Sequence, residues 1–282
     1  MLRSGIGRGH LSVCDGCSAK FLKICVDKVM RKRILLVGVV LFGIASVAVA
    51  EEKKLGVTLQ VDYLTKWLSK GFPAYGSKGA MFETLDLDFY ESGFGTKVTW
   101  RNSTSSGFVD RQRFDFRPYY RNSVFEGERY LMNYNISVGY EYYPGLGRKK
   151  APTTYEWIFA FCWPEILPGR LVPEYIAHYE YPAFRGQVFN DLTGWVHRFR
   201  LGYELNLPEI EQPIRLSSEV AYNDGLGGAA HDWSYATFGA ATNLKVTESL
   251  SFVPGIYYQI SMDKSVNDQN ELYGILSMKY KF

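Results

Sequence analysis

Three groups of side chains in this sequence have the types and spacing to do chemistry. In an extended segment His178 shares a face with Glu174 and Glu180, an arrangement that suits a metal ion or a proton relay. His231, Asp232 and Ser234 supply a base, a carboxylate and a hydroxyl, the set a lipid-acting hydrolase needs. Cys14-x-x-Cys17, with Cys25 and His10, has the donor types of a zinc site. Each group also has a plainer reading. A histidine among acids on a wet face is ordinarily a solvated side chain. The second set lies in the glycine-rich stretch Gly225 to Trp233, expected to be a mobile loop. The cysteine segment has no core of its own to hold a metal. We therefore expect no catalytic residue, no metal and no cofactor.

The elements that would position these residues alternate with a period of two. The clearest is Tyr130, Met132, Tyr134, Ile136, Val138, Tyr140 and Tyr142, set against Asn133, Asn135, Ser137, Gly139 and Glu141. An amphipathic helix cannot produce that period. The same rule holds for Leu55–Tyr63, Thr84–Tyr90, Phe94–Arg101, Arg113–Pro118, Tyr155–Trp163, Glu174–Tyr181, Trp195–Leu205, Ile214–Asn223, Ala236–Leu244, Phe252–Ile260 and Leu272–Phe282. Pro118 removes a ladder donor, which places it at a bulge. About twelve such segments, joined by alternating longer and shorter connections, predict one all-β domain over 51–282. Its fold is a single antiparallel up-and-down transmembrane β-barrel. A soluble sandwich would turn its apolar parity inward, and a lipocalin-like barrel of twelve strands would leave a cavity too wide to fill. The heavy use of Tyr (21) and Phe (18) suits aromatic girdles at a membrane interface.

The net charge of +3 misleads about this domain. Residues 1–50 hold eight of the 32 basic residues and two of the 29 acidic ones, so the remainder has 24 against 27 and a charge near −3. That balance gives no reason to expect nucleic acid as a partner. Arg31-Lys32-Arg33, an apolar run from Ile34 to Val49, and Ala48-Val49-Ala50 make a signal peptide over 30–50, with cleavage after Ala50. Residues 1–29 precede it as an over-extended, disordered start, with Met30 at the expected initiation point. Beyond the leader Cys162 stands alone, so no intramolecular disulfide is expected.

The wet parity carries the charges: Asp62, Asp86, Asp88, Lys97, Arg101, Asp115, Arg117, Glu141, Glu156, Glu174, His178, Glu180, Arg198, Arg200, Glu204, Arg215 and Glu219. Such groups are costly against lipid and tolerable around water, so they are the candidate pore-lining set. Asp86 and Asp88 on one strand are expected beside Lys97 and Arg101 on the next. Leu272–Phe282 is expected to pair with Leu55–Tyr63; its alternation and final Phe282 resemble the closing strand of bacterial outer-membrane barrels, a resemblance that implies Tyr280 and Phe282 form the signal read by the barrel assembly machinery.

The opening of the chain, Tyr63-Leu-Thr-Lys-Trp-Leu-Ser-Lys-Gly71 with Leu85-Asp-Leu-Asp-Phe89 and Ser92-Gly-Phe-Gly95, resembles the TorF-type porin family. Phe161-Cys-Trp-Pro-Glu-Ile-Leu-Pro168 with Val172-Pro-Glu-Tyr175 is similar to planctomycete-like members of it. Lys70 stands where that family usually has arginine before Gly71. The resemblance implies a bacterial outer-membrane barrel of channel function, with no catalytic residues. The expected activity is passive diffusion of small hydrophilic solutes or ions, with outer-membrane lipids around the wall. The alternatives are the lipid hydrolase and a plugged or adhesive barrel. An adhesive barrel would use loop residues Trp67, Phe72, Lys149, Lys150, Phe184, Phe189 and Trp233.

Overall fold

The computed structural model describes residues 54–108, 111–147, 149–186, 192–207 and 212–282. The signal peptide expected at 30–50, the over-extended start expected at 1–29 with its Cys14, Cys17, Cys25 and His10, and Phe189 lie outside the described residues. In chain order the elements are β1 (Gly56–Leu64), short β2 (Trp67–Ser69) and β3 (Phe72–Ala74), β4 (Ala80–Asp88), β5 (Phe94–Ser103) and β6 (Gln112–Val124). β7 (Met132–Tyr142), β8 (Thr154–Cys162), β9 (Leu171–Pro182), β10 (Gly194–Leu205) and β11 (Ile214–Asp224) follow. The remainder are β12 (His231–Thr242), two-residue β13 (Leu244–Lys245), β14 (Leu250–Ser261) and β15 (Glu271–Lys281).

Twelve of these make a continuous antiparallel wall: β1, β4 through β12, β14 and β15. Each pairs with its neighbour in the chain, β12 reaches past β13 to β14, and β15 returns to β1 from Thr58↔Lys281 to Leu64↔Ile275. The closing pair is the one its alternation predicts. Closure leaves no wall strand with an unpaired edge, which is how a sheet satisfies its backbone without water.

The two parities sit in opposite surroundings. Leu59, Phe199, Phe238, Ile256 and Leu276 are exposed, whereas Asp115, Glu141, Glu156 and Gln259 are almost completely buried. A water-soluble sheet has the reverse. An apolar outside around a charged inside excludes both the sandwich and the lipocalin-like barrel.

Two local expectations are corrected. Pro118 is not at a bulge: Phe116↔Tyr140 and Tyr119↔Ser137 hold one register on either side of it, and only the pairing of β6 to β7 is interrupted there. The wall absorbs the missing donor by skipping a rung. The register shift that does occur lies between β11 and β12, at Ala221/Tyr222. The stretch 225–233 is not a free loop either. Leu226 packs with Val196, Ala221 and Tyr235, and the strand resumes at His231.

Candidate functional site: a hairpin across the lumen

The connection between β1 and β4 turns inward. Thr65 ties its start to β15, donating its N–H to the Gly274 carbonyl at 3.0 Å and accepting from the Gly274 N–H at 2.8 Å. β2 and β3 then pair through Trp67↔Ala74 and Ser69↔Phe72, leaving Lys70 and Gly71 as a two-residue turn. Both have positive φ, +53° and +92°, as the turn that matches strand twist requires. Gly71 suits this conformation because it has no side chain to resist it.

Three contacts hold the hairpin inside. Trp67 is buried, with the guanidinium carbons of Arg101 and Arg113 at 5.1 and 5.0 Å from its ring centroid, so two wall cations lie close to one indole. Lys70 Nζ reaches Glu156 Oε1 at 2.9 Å and Glu180 Oε2 at 2.5 Å. The Gly71 carbonyl accepts from Gln259 Nε2 at 3.3 Å. The tip thus meets β8, β9 and β14 while its base rests against β5 and β6. Burial opposes the charge on Lys70, but the Glu156 and Glu180 carboxylates outweigh it and hold the ammonium above the ordinary lysine range.

The charged parity forms a chain of ion pairs. Asp86 meets Lys97 at 3.3 Å, the directly opposite pair expected. Asp88 and Arg101 do not join this exchange. Asp88 meets Arg121, and Arg101 meets Asp115 at 2.6 Å, both across to β6. Arg113 bridges Asp115 and Glu141, each at 2.7 Å, and Arg117 meets Glu156 at 2.6 Å. On the far side Arg200 joins Glu219 at 2.7 Å and Glu174 at 3.2 Å, with Arg198 at 3.6 Å from Glu219 and Arg215 at 3.0 Å from Glu204. Asp62 accepts from Gln60 at 2.7 Å.

Sequence reasoning missed Lys66, which meets Glu271 at 2.5 Å, together with Lys70, Arg113 and Arg121. Parity alone could have found Arg113 and Arg121, since they alternate in step with Asp115 and Arg117. Lys66 and Lys70 read as loop.

Space remains on both sides of the hairpin. A cavity of about 300 Å³ is lined by Trp67, Lys70, Tyr75, Arg113, Glu141 and Tyr143. A second, of about 340 Å³, is lined by Lys70, Arg198, Arg200, Glu219, Tyr235 and Tyr257. Lys70 borders both. At the short-turn end a cleft of about 770 Å³ includes Thr58, Lys245, Lys279 and Lys281, and one of about 430 Å³ includes Asp88, Arg121 and Asn133.

No protein-family profile matches this chain. No curated protein matches it in sequence. Among solved structures it is similar to the KdgM porin, with a TM-score of 0.51 and 9% identity over 80% of this chain and 99% of that one. It is also similar to the NanC porin, with a TM-score of 0.50 and 11% identity over 79% of this chain and the whole of the other. The chain shares the closed, twelve-stranded barrel fold of these two structures.

Within this barrel the candidate chemical groups are otherwise engaged. His178 does not gather Glu174 and Glu180. His178 lies directly opposite Ile158 and Val196, and its ring reaches the diagonal neighbours instead: Nδ1 meets Glu156 at 2.8 Å and Nε2 lies 2.5 Å from Arg198. Ser234 is fully buried and donates to the Ala221 carbonyl at 3.1 Å, while His231 Nδ1 meets Asp224 at 2.5 Å. Two of the proposed external contact residues are misplaced in the sequence reading: Trp67 is buried in the lumen, and Phe72 packs inside against Gly227. Trp233 belongs to β12 and rests on Phe199 and Tyr222.

Proposed function

We propose that this protein is an outer-membrane channel for passive diffusion of small hydrophilic solutes or ions, narrowed by the β2–β3 hairpin. The observation that carries this reading is the closed wall with its apolar parity outside, its charged parity inside and open volume on both sides of the hairpin. The charged residues named from the sequence line the pore. Paired as they are, they give weak ion selectivity rather than a strong preference for one sign. A small conductance is expected because Lys70 and Trp67 stand inside the lumen, held to wall residues on several strands.

The finer assignments belong to the same proposal. The chain is a TorF-type porin of a Gram-negative cell, secreted through the signal peptide at 30–50. It is surrounded by outer-membrane lipids and inserted by the barrel assembly machinery through Tyr280 and Phe282. It is not an enzyme. The apolar outer face of the barrel supports the lipid surroundings, and the engagement of His178 and Ser234 in structural contacts supports a non-catalytic role; the family, the leader and the assembly signal rest on the sequence alone.

Purified protein in planar bilayers should produce discrete conductance steps. Liposomes containing it should swell in small sugars and not in large ones. Silence in both assays, under conditions in which a known porin conducts, would make the molecule a plugged structural barrel.

A further inference from the structure

The cavity beyond the hairpin tip has a construction that narrowing alone does not require. Tyr257 and Tyr273 are directly opposite residues on β14 and β15, and their rings stack at 5.3 Å with 16° between planes. Two glycines make room for this. A Cβ on Gly239 would lie 2.3 Å from Tyr257 Cδ1, and one on Gly255 would lie 2.8 Å from Cε2 of the same ring. The Tyr257 ring therefore lies over bare backbone of β12 and β14, leaving the cavity beside it open. Tyr235 borders the same space with its hydroxyl spent on Glu219 at 3.0 Å, whereas the Tyr257 and Tyr273 hydroxyls bond to no other described residue.

The polar groups beside this platform are oriented and incompletely used. Arg200 is clamped by Glu219 and Glu174. Arg198 directs its terminal nitrogens to His178 and Glu219, and its buried Nε–H has no acceptor among the described residues. Every cation bordering the cavity is matched: Lys70 by Glu156 and Glu180, Arg198 and Arg200 by Glu219 and Glu174. Of these carboxylates only Glu219 borders the cavity itself, but with Arg117 also on Glu156 the network sets four cations against four carboxylates, so no cation is left uncompensated for an anion. An aromatic face beside planar hydrogen-bonding groups suits a solute with C–H faces and a rim of hydroxyls. A volume of about 340 Å³ is at the small end of ligand pockets.

We propose that this cavity is a binding site for an uncharged polyhydroxy solute of monosaccharide size, which stacks on Tyr257 and Tyr273 and hydrogen-bonds to the partly exposed guanidinium of Arg200 and the two free hydroxyls. The site rests on the channel reading, because the solute must enter the lumen to reach it.

The test is ion current through single barrels in planar bilayers, with D-glucose and then D-glucuronate added, alongside calorimetric titration of both sugars into detergent-solubilised protein. Glucose should reduce the current saturably and give a binding isotherm, and glucuronate should bind more weakly. Tyr257→Ala and Tyr273→Ala should each weaken glucose by about ten-fold. Tyr273→Phe, which keeps the ring, should lose less and shows that a folded barrel is being measured. Absence of any current while glucose still binds would sink the channel reading and leave the site standing. A conducting barrel that is indifferent to glucose, bound equally well by the alanine variants, or bound more tightly by glucuronate would overturn the site.

Discussion

Gly71 packs so closely on the ring of Tyr235 that a Cβ there would lie 2.5 Å from Cδ1. The hairpin tip is thus seated on β12 by the absence of a side chain, and a side chain becomes a means of lifting it. Gly71→Ala meets Tyr235, then Val266 at 2.9 Å, and must adopt a φ of +92° that alanine resists. We expect a higher unit conductance and a loss of stability of about 1–3 kcal/mol. Single-channel recording and urea unfolding in bilayers read the two effects; an unchanged conductance would mean that the tip does not set the narrowest point.

Lys70 is the ionic counterpart of that contact. Lys70→Met leaves Glu156 and Glu180, both buried, without their shared ammonium. Breaking a buried pair from one side costs about 3–5 kcal/mol. The variant should conduct more and shift its reversal potential toward cation preference under a salt gradient. The pH dependence has a definite sign. Because the folded-state pKa of Lys70 is raised, its contribution to stability is complete below the unfolded value of 10.5 and is lost only above the folded one. Hairpin seating through Lys70 should therefore be the same at about pH 7 and about pH 9. A conductance rise over that interval in the wild type, absent in Lys70→Met, would contradict it.

Glycines in the wall differ in what they make room for. A Cβ on Gly95 would strike the Tyr119 ring at 2.3 Å and the Leu87 carbonyl at 2.5 Å, whereas on Gly202 the nearest atom is the Val172 carbonyl at 3.7 Å. Gly95→Ala should destabilise the barrel by about 1–3 kcal/mol and Gly202→Ala by much less. Parallel urea titrations compare them, and equal midpoints would refute the close packing of Tyr119 over β5.

Ile256, in the middle of β14, is exposed on the apolar parity. Ile256→Arg places a cation against lipid and should cost about 2–4 kcal/mol in a bilayer. If folding yield and stability in liposomes match those of the wild type, this face does not contact hydrocarbon.

The wall was legible because lipid and lumen impose opposite demands on successive residues, and that conflict is written at period two. Leu272–Phe282 and its partner β1 could be read from this rule alone. The identity of the ion pairs was less accessible. Asp86 and Lys97 are direct neighbours, but Asp88 reaches Arg121 and Arg101 reaches Asp115, choices set by strand stagger and side-chain length rather than by order in the chain. The hairpin was illegible for another reason. Gly71, Pro73, Gly76 and Gly79 punctuate its segment as a loop, and turn chemistry is the same whether a turn faces water or the lumen. Its one available signal was the apolar company of those turns: Trp67, Leu68, Phe72 and Tyr75 are poorly suited to an external tip.

The hairpin also constrains how this protein can be made. It follows the first wall strand, yet Lys70 finds Glu180 across 110 residues and Gly71 finds Gln259 across 188. When β2 and β3 are first available, the strands that anchor them have not yet taken their places. A finished cylinder would have to admit the hairpin through its own mouth. The economical order is to fill the lumen as the wall rolls up, with the meeting of β15 and β1 sealing the contents, so that assembly speed is governed by the most distant contacts in the chain rather than by its many local hairpins.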